Sequence, residues 1–382
     1  MHGRVPSRHV FAFPACLAFL AIVLAAIQGG FMMFVRSAVV VVAMAWSVVW
    51  SVAARAAEPT SYTFEQLAEG VYFARPNMPG AMNCNVMVVV ADEDVLLMDA
   101  GTERDSAAKL LADVRTLTDK PVRYVVNSHF HFDHAGANEG FGPGVQIIGS
   151  AYTARRLSGN PYEGRTFQRF FGTTEGFLGS QPQALATLEA DLVEEADAAK
   201  RLELQSRIAA IEGQMVVLET TRPRAPTIVV KDKYVIPRSA GEIQVLYLGR
   251  GHTGGDLVVY LPKQRIVATG DFMQNGLAYM GDAYLEDWPK SLEALKRLEF
   301  DLVVGGHGPL FRGTAKITAY QGYLRDFATQ AAALKRQGVN AEDAARRMDL
   351  SAYQREFPQA AMGAPLPGVI RYYELLDGRD VP

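Results

Sequence analysis

The sequence predicts an α/β fold, and three observations support this prediction. Short runs of β-branched or apolar residues predict strands at 85–91, 95–99 and 122–127. Apolar residues with helical spacing predict helices at 106–117 and 288–298. Strands that alternate with helices are typical of α/β proteins. With 382 residues and 49% hydrophobic side chains, the chain is also long enough to bury a sizeable core.

The charge of the chain is unevenly distributed. The formal net charge is −3, but residues 1–57 contain four arginines and no acidic residue. The remainder therefore has 34 basic against 41 acidic side chains, a formal charge of −7. A body of that sign does not attract a polyphosphate backbone, so we expect no nucleic-acid partner. The expected partner is a small-molecule substrate.

The acid-free start of the chain predicts a targeting leader over residues 1–56. Arg36 supplies a positive residue, 37–52 an apolar stretch, and 54–56 a small-residue cleavage site of the A-x-A type. We therefore expect a signal peptide that is cleaved after Ala56. The mature protein is then periplasmic or secreted, with no stable membrane anchor.

Two alternatives for this leader remain open. An earlier apolar run at 10–27 is of borderline length for a transmembrane helix and would anchor the protein in the membrane. Translation from Met32 or Met33, rather than Met1, would leave a conventional signal peptide.

Beyond the leader, residues 57–382 are expected to form one domain with a helical insertion at about 160–213 and a helical C-terminal tail at about 314–382. Within the insertion, 183–211 is rich in alanine and charged residues. Its apolar positions recur at intervals of three, four and seven: Leu185, Leu188, Leu192, Ala199 and Leu202. This pattern predicts one long amphipathic helix or two. The insertion either packs on the body or on a second subunit, as in a homodimer, or covers the site as a lid.

The histidines beyond the leader all lie at predicted strand ends or in glycine-flanked loops: His129, His131, His134, His252 and His307. The first three lie with Asp133 within six positions. Neutral imidazoles and carboxylates are the ligands that Zn²⁺ and similar ions prefer, so the pattern predicts a metal site. On an extended segment, His129 and His131 would point to the same side and could hold one metal. Asp271 ends another predicted strand, where its carboxylate could bridge two ions.

These motifs resemble those of the metallo-β-lactamase fold superfamily. The matching segments are His129-x-His131-x-Asp133-His134, Gly251-His252-Thr253, Gly270-Asp271 and Gly306-His307-Gly308, preceded by Asp99-Ala100-Gly101. Their order and spacing both agree, over roughly 64–313 apart from the insertion. The resemblance implies an αββα sandwich, in which two sheets face each other between outer helices and the metals lie at one edge.

The resemblance also implies roles for individual residues. One metal would be held by His129, His131 and His252. The other would be held by Asp133, His134 and His307, with Asp271 bridging the two. The implied cofactors are two Zn²⁺ ions, with Fe or Mn as alternatives, and they would generate a hydroxide nucleophile from a shared water. Asp133 would also act in catalysis by orienting that hydroxide. Asp99 would fix a ligand loop through hydrogen bonds.

The carboxylate at position 271 narrows the range of reactions that the resemblance implies. Zinc β-lactamases of the cysteine-ligand type have a cysteine there, and Cys84 precedes every ligand motif. Asp271 instead resembles the ligand of hydroxyacylglutathione hydrolases and lactonases. We therefore expect an exported metal-dependent hydrolase that cleaves an ester, a thioester or a lactone with a dinuclear zinc-bound hydroxide.

Three alternatives to this function remain open. One is β-lactam hydrolysis, for which export would be required. Another is a mononuclear Fe(II) dioxygenase similar to the persulfide dioxygenases, with ligands His129, His252 and Asp271. The non-enzymatic alternative is a degenerate binding scaffold. It is disfavoured because no ligand of the motif series is missing.

An aromatic stretch after the expected bridging aspartate has two interpretations. Tyr279, Met280, Tyr284 and Trp288 could line the mouth of a pocket. They could equally pack in the core or anchor a loop.

Overall fold

The computed structural model describes residues 61–77, 84–102, 104–159, 164–171, 174–220 and 223–380. The predicted leader and its cleavage site lie outside these residues. Within the described residues, no helix is both long and apolar enough to cross a membrane.

The first of two sheets has seven strands, which neighbour one another in chain order. They are β1 Tyr62–Ala68, β2 Val71–Pro76, β3 Val86–Val90, β4 Val95–Met98, β5 Val122–Val126, β6 Gln146–Ser150 and β7 Ile228–Val230. The first four strands pair antiparallel, and β4 to β7 pair parallel.

The second sheet has six strands in the order β13-β12-β11-β10-β9-β8. They are β8 Lys233–Ile236, β9 Ile243–Tyr247, β10 Leu257–Leu261, β11 Ile266–Gly270, β12 Leu302–Gly305 and β13 Phe311–Arg312. Only β11 and β12 pair parallel. The strands expected from the apolar runs are present, with ends that differ by one or two residues.

The two sheets face each other across a shared apolar core. Side chains from both sheets meet there, among them Met87 and Leu96 from the first sheet and Val245 and Val259 from the second. Each is almost fully buried. Burying one such side chain contributes about 1.5–3 kcal/mol, so this interface is a main source of stability.

The outer face of each sheet is covered by helices. Leu97 in β4 points away from the other sheet and packs with Leu110 of the helix Arg104–Val114. In the second sheet, Val303 packs outward with Trp288 and Tyr320. Alternate residues of one strand point to opposite faces, so strands covered on both sides are apolar throughout. The fold is therefore the αββα sandwich that the sequence predicts.

The helices of the described residues are numbered in chain order. They are α1 Arg104–Val114, α2 Phe132–Ala135, α3 Ala151–Ser158, α4 Arg165–Phe171, α5 Thr174–Glu194, α6 Ala198–Thr220, α7 Trp288–Lys296, α8 Ala315–Arg336, α9 Ala341–Arg347 and α10 Leu366–Leu376. Helices α7 to α10 cover the second sheet, since their buried residues belong to one cluster with its outer face.

The segment of the predicted insertion contains two long helices, α5 and α6, which pack against each other. The chain breaks between them at 195–197, and Asp197 accepts a hydrogen bond from the Lys200 backbone N–H at 2.9 Å. An acidic side chain in that position favours a helix start. Helix α6 passes through Gly213 and continues beyond the expected end at about 213 to Thr220, and the first proline after this point is Pro223.

Candidate metal centre

The seven side chains predicted as metal ligands converge at one edge of the sandwich. His129, His131, Asp133 and His134 follow the carboxyl end of β5, and His252 lies between β9 and β10. Asp271 and His307 follow the carboxyl ends of the parallel strands β11 and β12. The carboxyl ends of parallel strands are where α/β proteins commonly bind ligands.

The first group consists of His129, His131 and His252, whose potential ligand atoms lie within 4.8 Å of one another. All three are buried. The His252 Nε2 and His131 Nδ1 atoms are 3.1 Å apart. Two nitrogens bound to the same tetrahedral zinc ion lie about 3.3 Å apart. The spacing of this group is therefore suited to a single cation.

The second group consists of Asp133, His134 and His307 and contains a carboxylate. The Asp133 Oδ2 atom lies 3.0 Å from His307 Nε2 and 3.3 Å from His134 Nε2. His134 is buried, whereas Asp133 and His307 are partly exposed. Of the two groups, the second is therefore the more exposed to solvent.

Asp271 lies between the two groups. Its Oδ2 atom is 3.7 Å from His252 Nε2 in the first group. Its Oδ1 atom is 3.4 Å from His134 Nε2 and 3.5 Å from His307 Nε2 in the second. One carboxylate thus presents a different oxygen to each group.

Several buried polar atoms at the centre lack a hydrogen-bond partner, which tests whether a metal fits. They are His129 Nε2, His134 Nε2 and Asp271 Oδ1. Burying such atoms without a partner costs about 1–3 kcal/mol each, and cations bound at the two groups would satisfy all three. Gly306 keeps the space open, because a Cβ there would lie 2.2 Å from Asp271 Oδ1. The donor set of nitrogen and carboxylate oxygen suits Zn²⁺, Fe or Mn.

Protonation differs between the two groups: although burial opposes it, nearby carboxylates raise the pKa of His134 and His307 in the second group. Burial lowers the pKa of His252 to about 3 and holds the pKa of His129 well below its usual range. Both imidazoles are therefore neutral, the form that binds a metal. Burial alone would raise the pKa of Asp271, but the nearby His307 and His134 outweigh it and lower the pKa. Asp271 is consequently a carboxylate at neutral pH.

Asp99 lies behind the ligand loop, where the sequence placed a supporting residue. Its Oδ1 atom accepts a hydrogen bond from the Ser128 backbone N–H at 2.7 Å. Its Oδ2 atom lies 2.8 Å from His134 Nδ1. The Ser128 hydroxyl in turn lies 2.9 Å from His129 Nδ1. Through these contacts, Asp99 and Ser128 restrain one histidine of each group.

Asp282 is a supporting residue that sequence reasoning missed. Its Oδ2 atom is 2.9 Å from His131 Nε2, although the two residues are 151 positions apart. Burial opposes ionisation of Asp282, but hydrogen bonds from His131 and Thr166 lower its pKa to about 2. A carboxylate in a largely apolar loop was the one sequence signal that could have indicated it.

Asn85 and Cys84 also reach the centre from the start of β3 and were not predicted there. The Asn85 side-chain amide donates hydrogen bonds to the carbonyl oxygens of Gly305 and Gly308, on both sides of His307. Cys84 is fully buried beside Asp99 and His134. Burial raises the pKa of its thiol to about 11, so the thiol is protonated at neutral pH.

The aromatic stretch after Asp271 divides between the two interpretations. Met280, Tyr284 and Trp288 are buried, and Met280 and Trp288 belong to the core under the C-terminal helices. Tyr279 is only partly buried, and its ring centroid lies 6.1 Å from that of His131. Tyr279 is therefore the member of this set that lies beside the centre.

Comparison with known proteins agrees with this geometry. The family model of the metallo-beta-lactamase superfamily matches residues 79–307. That range contains all seven residues of the centre, and it spans more than half of the chain. The chain therefore belongs to the metallo-beta-lactamase superfamily.

Individual relatives are more distant. The chain is 24% identical over 251 residues to a linear primary-alkylsulfatase from Pseudomonas sp.. This alignment covers 63% of this chain and 44% of that protein. The chain is also 46% identical over 69 residues to a metallo-beta-lactamase type 2 from Pseudomonas aeruginosa. This second alignment covers 17% of this chain and 28% of the relative. The chain thus spans less than half the length of either relative.

The crystal structure of the DIM-1 metallo-beta-lactamase has a TM-score of 0.47 and 17% identity, with 69% of this chain and 97% of that chain covered.

Proposed function

We propose that the protein is a hydrolase that uses two bound zinc ions to cleave an ester, a thioester or a lactone. The observation that supports this most is the position of Asp271 between two groups of ligand-type side chains. Its Oδ2 atom faces His252 and its Oδ1 atom faces His134 and His307. A bridging carboxylate of this kind holds two metals at one site, and dinuclear sites are typical of hydrolases.

In this proposal, His129, His131 and His252 would hold the first ion, and Asp133, His134 and His307 would hold the second. When bound, the two ions lower the pKa of a water molecule toward neutrality and polarise the substrate oxygen. The residues of the chain hold and orient the reactants. Asp133 is partly exposed beside His307, so its carboxylate can accept a hydrogen bond from the attacking water and align it.

The relatives widen the range of ester-type bonds that deserve testing. One relative is by name a linear primary-alkylsulfatase, so its substrate is a sulfate ester. A sulfate ester differs from a carboxylic ester in the atom attacked, but both reactions use an activated water and a polarised oxygen. Alkyl sulfates therefore belong in a substrate panel alongside lactones and thioesters.

Hydrolysis of β-lactams is a second candidate. The specific observation in its favour is the 46% identity over 69 residues to a metallo-beta-lactamase type 2. A mononuclear Fe(II) oxygenase remains the alternative if the chain binds one iron, with His129, His252 and Asp271 as the ligands.

The location of the protein is also proposed from the sequence. The acid-free leader of residues 1–56 supports export to the periplasm or the medium, with cleavage after Ala56. Exported protein from the native host should then have an intact mass that corresponds to a chain beginning at Ala57. An exported chain that still begins at Met1 would contradict the proposed cleavage.

A substrate panel on the mature, zinc-loaded protein tests the proposed reaction. It contains lactones, thioesters, carboxylic esters, phosphoesters, primary alkyl sulfates and a chromogenic cephalosporin, and metal content is measured on the same sample. We expect two equivalents of zinc and turnover of at least one ester, thioester or lactone. One equivalent of iron with no hydrolysis, or two of zinc with turnover of the cephalosporin alone, would contradict the main proposal.

A further inference from the structure

Helix α4, at the start of the predicted insertion, contributes a buried hydroxyl to the metal centre. Thr166 is 4% exposed, and its Oγ1 atom donates a hydrogen bond to Asp282 Oδ2 across 116 positions of the chain. The same Asp282 oxygen lies 2.9 Å from His131 Nε2. Thr166 and His131 therefore hold one carboxylate oxygen from two sides.

Tyr279 lies beside the same histidine. Its ring centroid is 6.1 Å from that of His131. Gly281 makes room for the Tyr279 side chain, because a Cβ at position 281 would lie 2.0 Å from the Tyr279 hydroxyl oxygen. A substitution of Tyr279 therefore changes the surroundings of His131 and leaves the hydrogen bond from Thr166 to Asp282 in place.

The Asp282 carboxylate matters because it determines which ring nitrogen of His131 carries the proton. A neutral imidazole that donates from Nε2 to Asp282 has an unprotonated Nδ1 atom. His131 Nδ1 is the atom that faces His252 Nε2 at 3.1 Å. A carboxylate behind a ligating histidine fixes its ring orientation and raises its basicity. Any residue that holds Asp282 in place therefore acts on the first group of ligands.

We propose that Thr166 is a positioning residue for the metal centre. Its hydroxyl fixes the Asp282 carboxylate that orients His131, so that metal binding by His129, His131 and His252 depends on helix α4. This inference rests on the proposed function, because it requires that the group binds a cation. It adds a link between the inserted segment and the chemistry of the centre.

Three variants test the role of the hydroxyl. Thr166→Val has nearly the shape of threonine but cannot donate to Asp282. Thr166→Ser keeps the hydroxyl and loses a methyl group. Tyr279→Phe is the matched control, because it removes a neighbouring hydroxyl and leaves the contact between Thr166 and Asp282. For each purified protein, stepwise Zn²⁺ affinity is measured by chelator competition, Co²⁺ absorption reports ligand geometry, and the melting temperature reports folding.

We expect Thr166→Val to weaken the binding of one of the two ions by about 10–100-fold and to change the Co²⁺ spectrum. Thr166→Ser and Tyr279→Phe should bind both ions nearly as the wild type does. If Thr166→Val does not fold, Thr166→Ala provides the same comparison without the branched side chain.

Two results would overturn the inference. In one, Thr166→Val or Thr166→Ala binds both ions with wild-type affinity. In the other, Thr166→Ser binds zinc as weakly as Thr166→Val, which would assign the loss of affinity to packing rather than to the hydroxyl. Failure of the proposed function differs from both, because wild-type protein would then bind no metal or would bind two ions without hydrolysing any substrate of the panel.

Discussion

Asp99 Oδ2 lies 2.8 Å from His134 Nδ1, and Asp99 itself has a left-handed backbone with φ of 70°. Few residues other than glycine adopt that conformation, and aspartate and asparagine are among them. The left-handed turn follows β4 directly and aims the carboxylate at the loop after the neighbouring parallel strand β5. The position thus requires both a tolerated backbone conformation and a negative side chain.

Substitutions of Asp99 should separate these two requirements. Asp99→Asn keeps the tolerance for the left-handed backbone but removes the charge beside His134, so metal affinity should fall by about 10–100-fold. Asp99→Ala should lose metal affinity and also stability, by roughly 1–2 kcal/mol, because alanine is disfavoured in that conformation. Metal titration and urea unfolding of the two variants check this. Equal stability of both variants would contradict the backbone part of the argument.

Asp271→Ala should remove nearly all activity and lower the metal content, because the Asp271 carboxylate faces both groups of ligands. Turnover and zinc stoichiometry are measured on the same preparation. Asp301→Ala is the control, since Asp301 is an exposed carboxylate paired with Arg265, and it should keep both properties. An Asp271→Ala protein with two bound metals and wild-type turnover would refute the bridging assignment.

The stability of the C-terminal region should depend on pH through Asp380. Burial opposes its ionisation, but hydrogen bonds from Arg371 and Tyr284 outweigh burial and hold its pKa below the usual range. A carboxyl whose pKa is lower in the folded state stabilises the fold above its unfolded pKa, near 4. That contribution is lost as the pH falls through the lower, folded value.

Asp380→Asn should therefore lower the melting temperature at pH 7, and its difference from the wild type should shrink as the pH falls below about 4. Thermal unfolding at a series of pH values measures this. A difference that is constant with pH would show that charge on Asp380 does not contribute.

We propose that the hairpin of α5 and α6 mediates a homodimer. Near the turn between the helices, Val193 is 82% exposed and Leu202 is 67% exposed, and a second copy of the chain would bury both. Replacing both with serine should shift the mass measured by light scattering from dimer to monomer. Zinc stoichiometry should stay at two, because the metal centre is built from other segments.

The exposed polar residue Gln205 on α6 offers a matched control. Gln205→Ser should leave the mass of the protein unchanged. A wild-type protein that is monomeric at all concentrations would reject the dimer.

Sequence alone determined much of this protein because its signals are local. Continuous apolar runs such as 95–98 predict strands buried on both faces, and the structure contains them. The histidine cluster at 129–134 predicts a metal site because ligand types at short spacing must lie close together whatever the fold. The αββα sandwich followed from the resemblance of these motifs and is confirmed.

Only the tertiary structure decided which distant residues support the ligands. Asp282 reaches His131 across 151 positions, and Asn85 reaches Gly308 across 223. Thr166 joins the centre from a helix whose sequence carries no ligand motif. Such contacts depend on how the two sheets and their loops pack in space, and a single aspartate, asparagine or threonine has no periodicity that a sequence pattern could reveal.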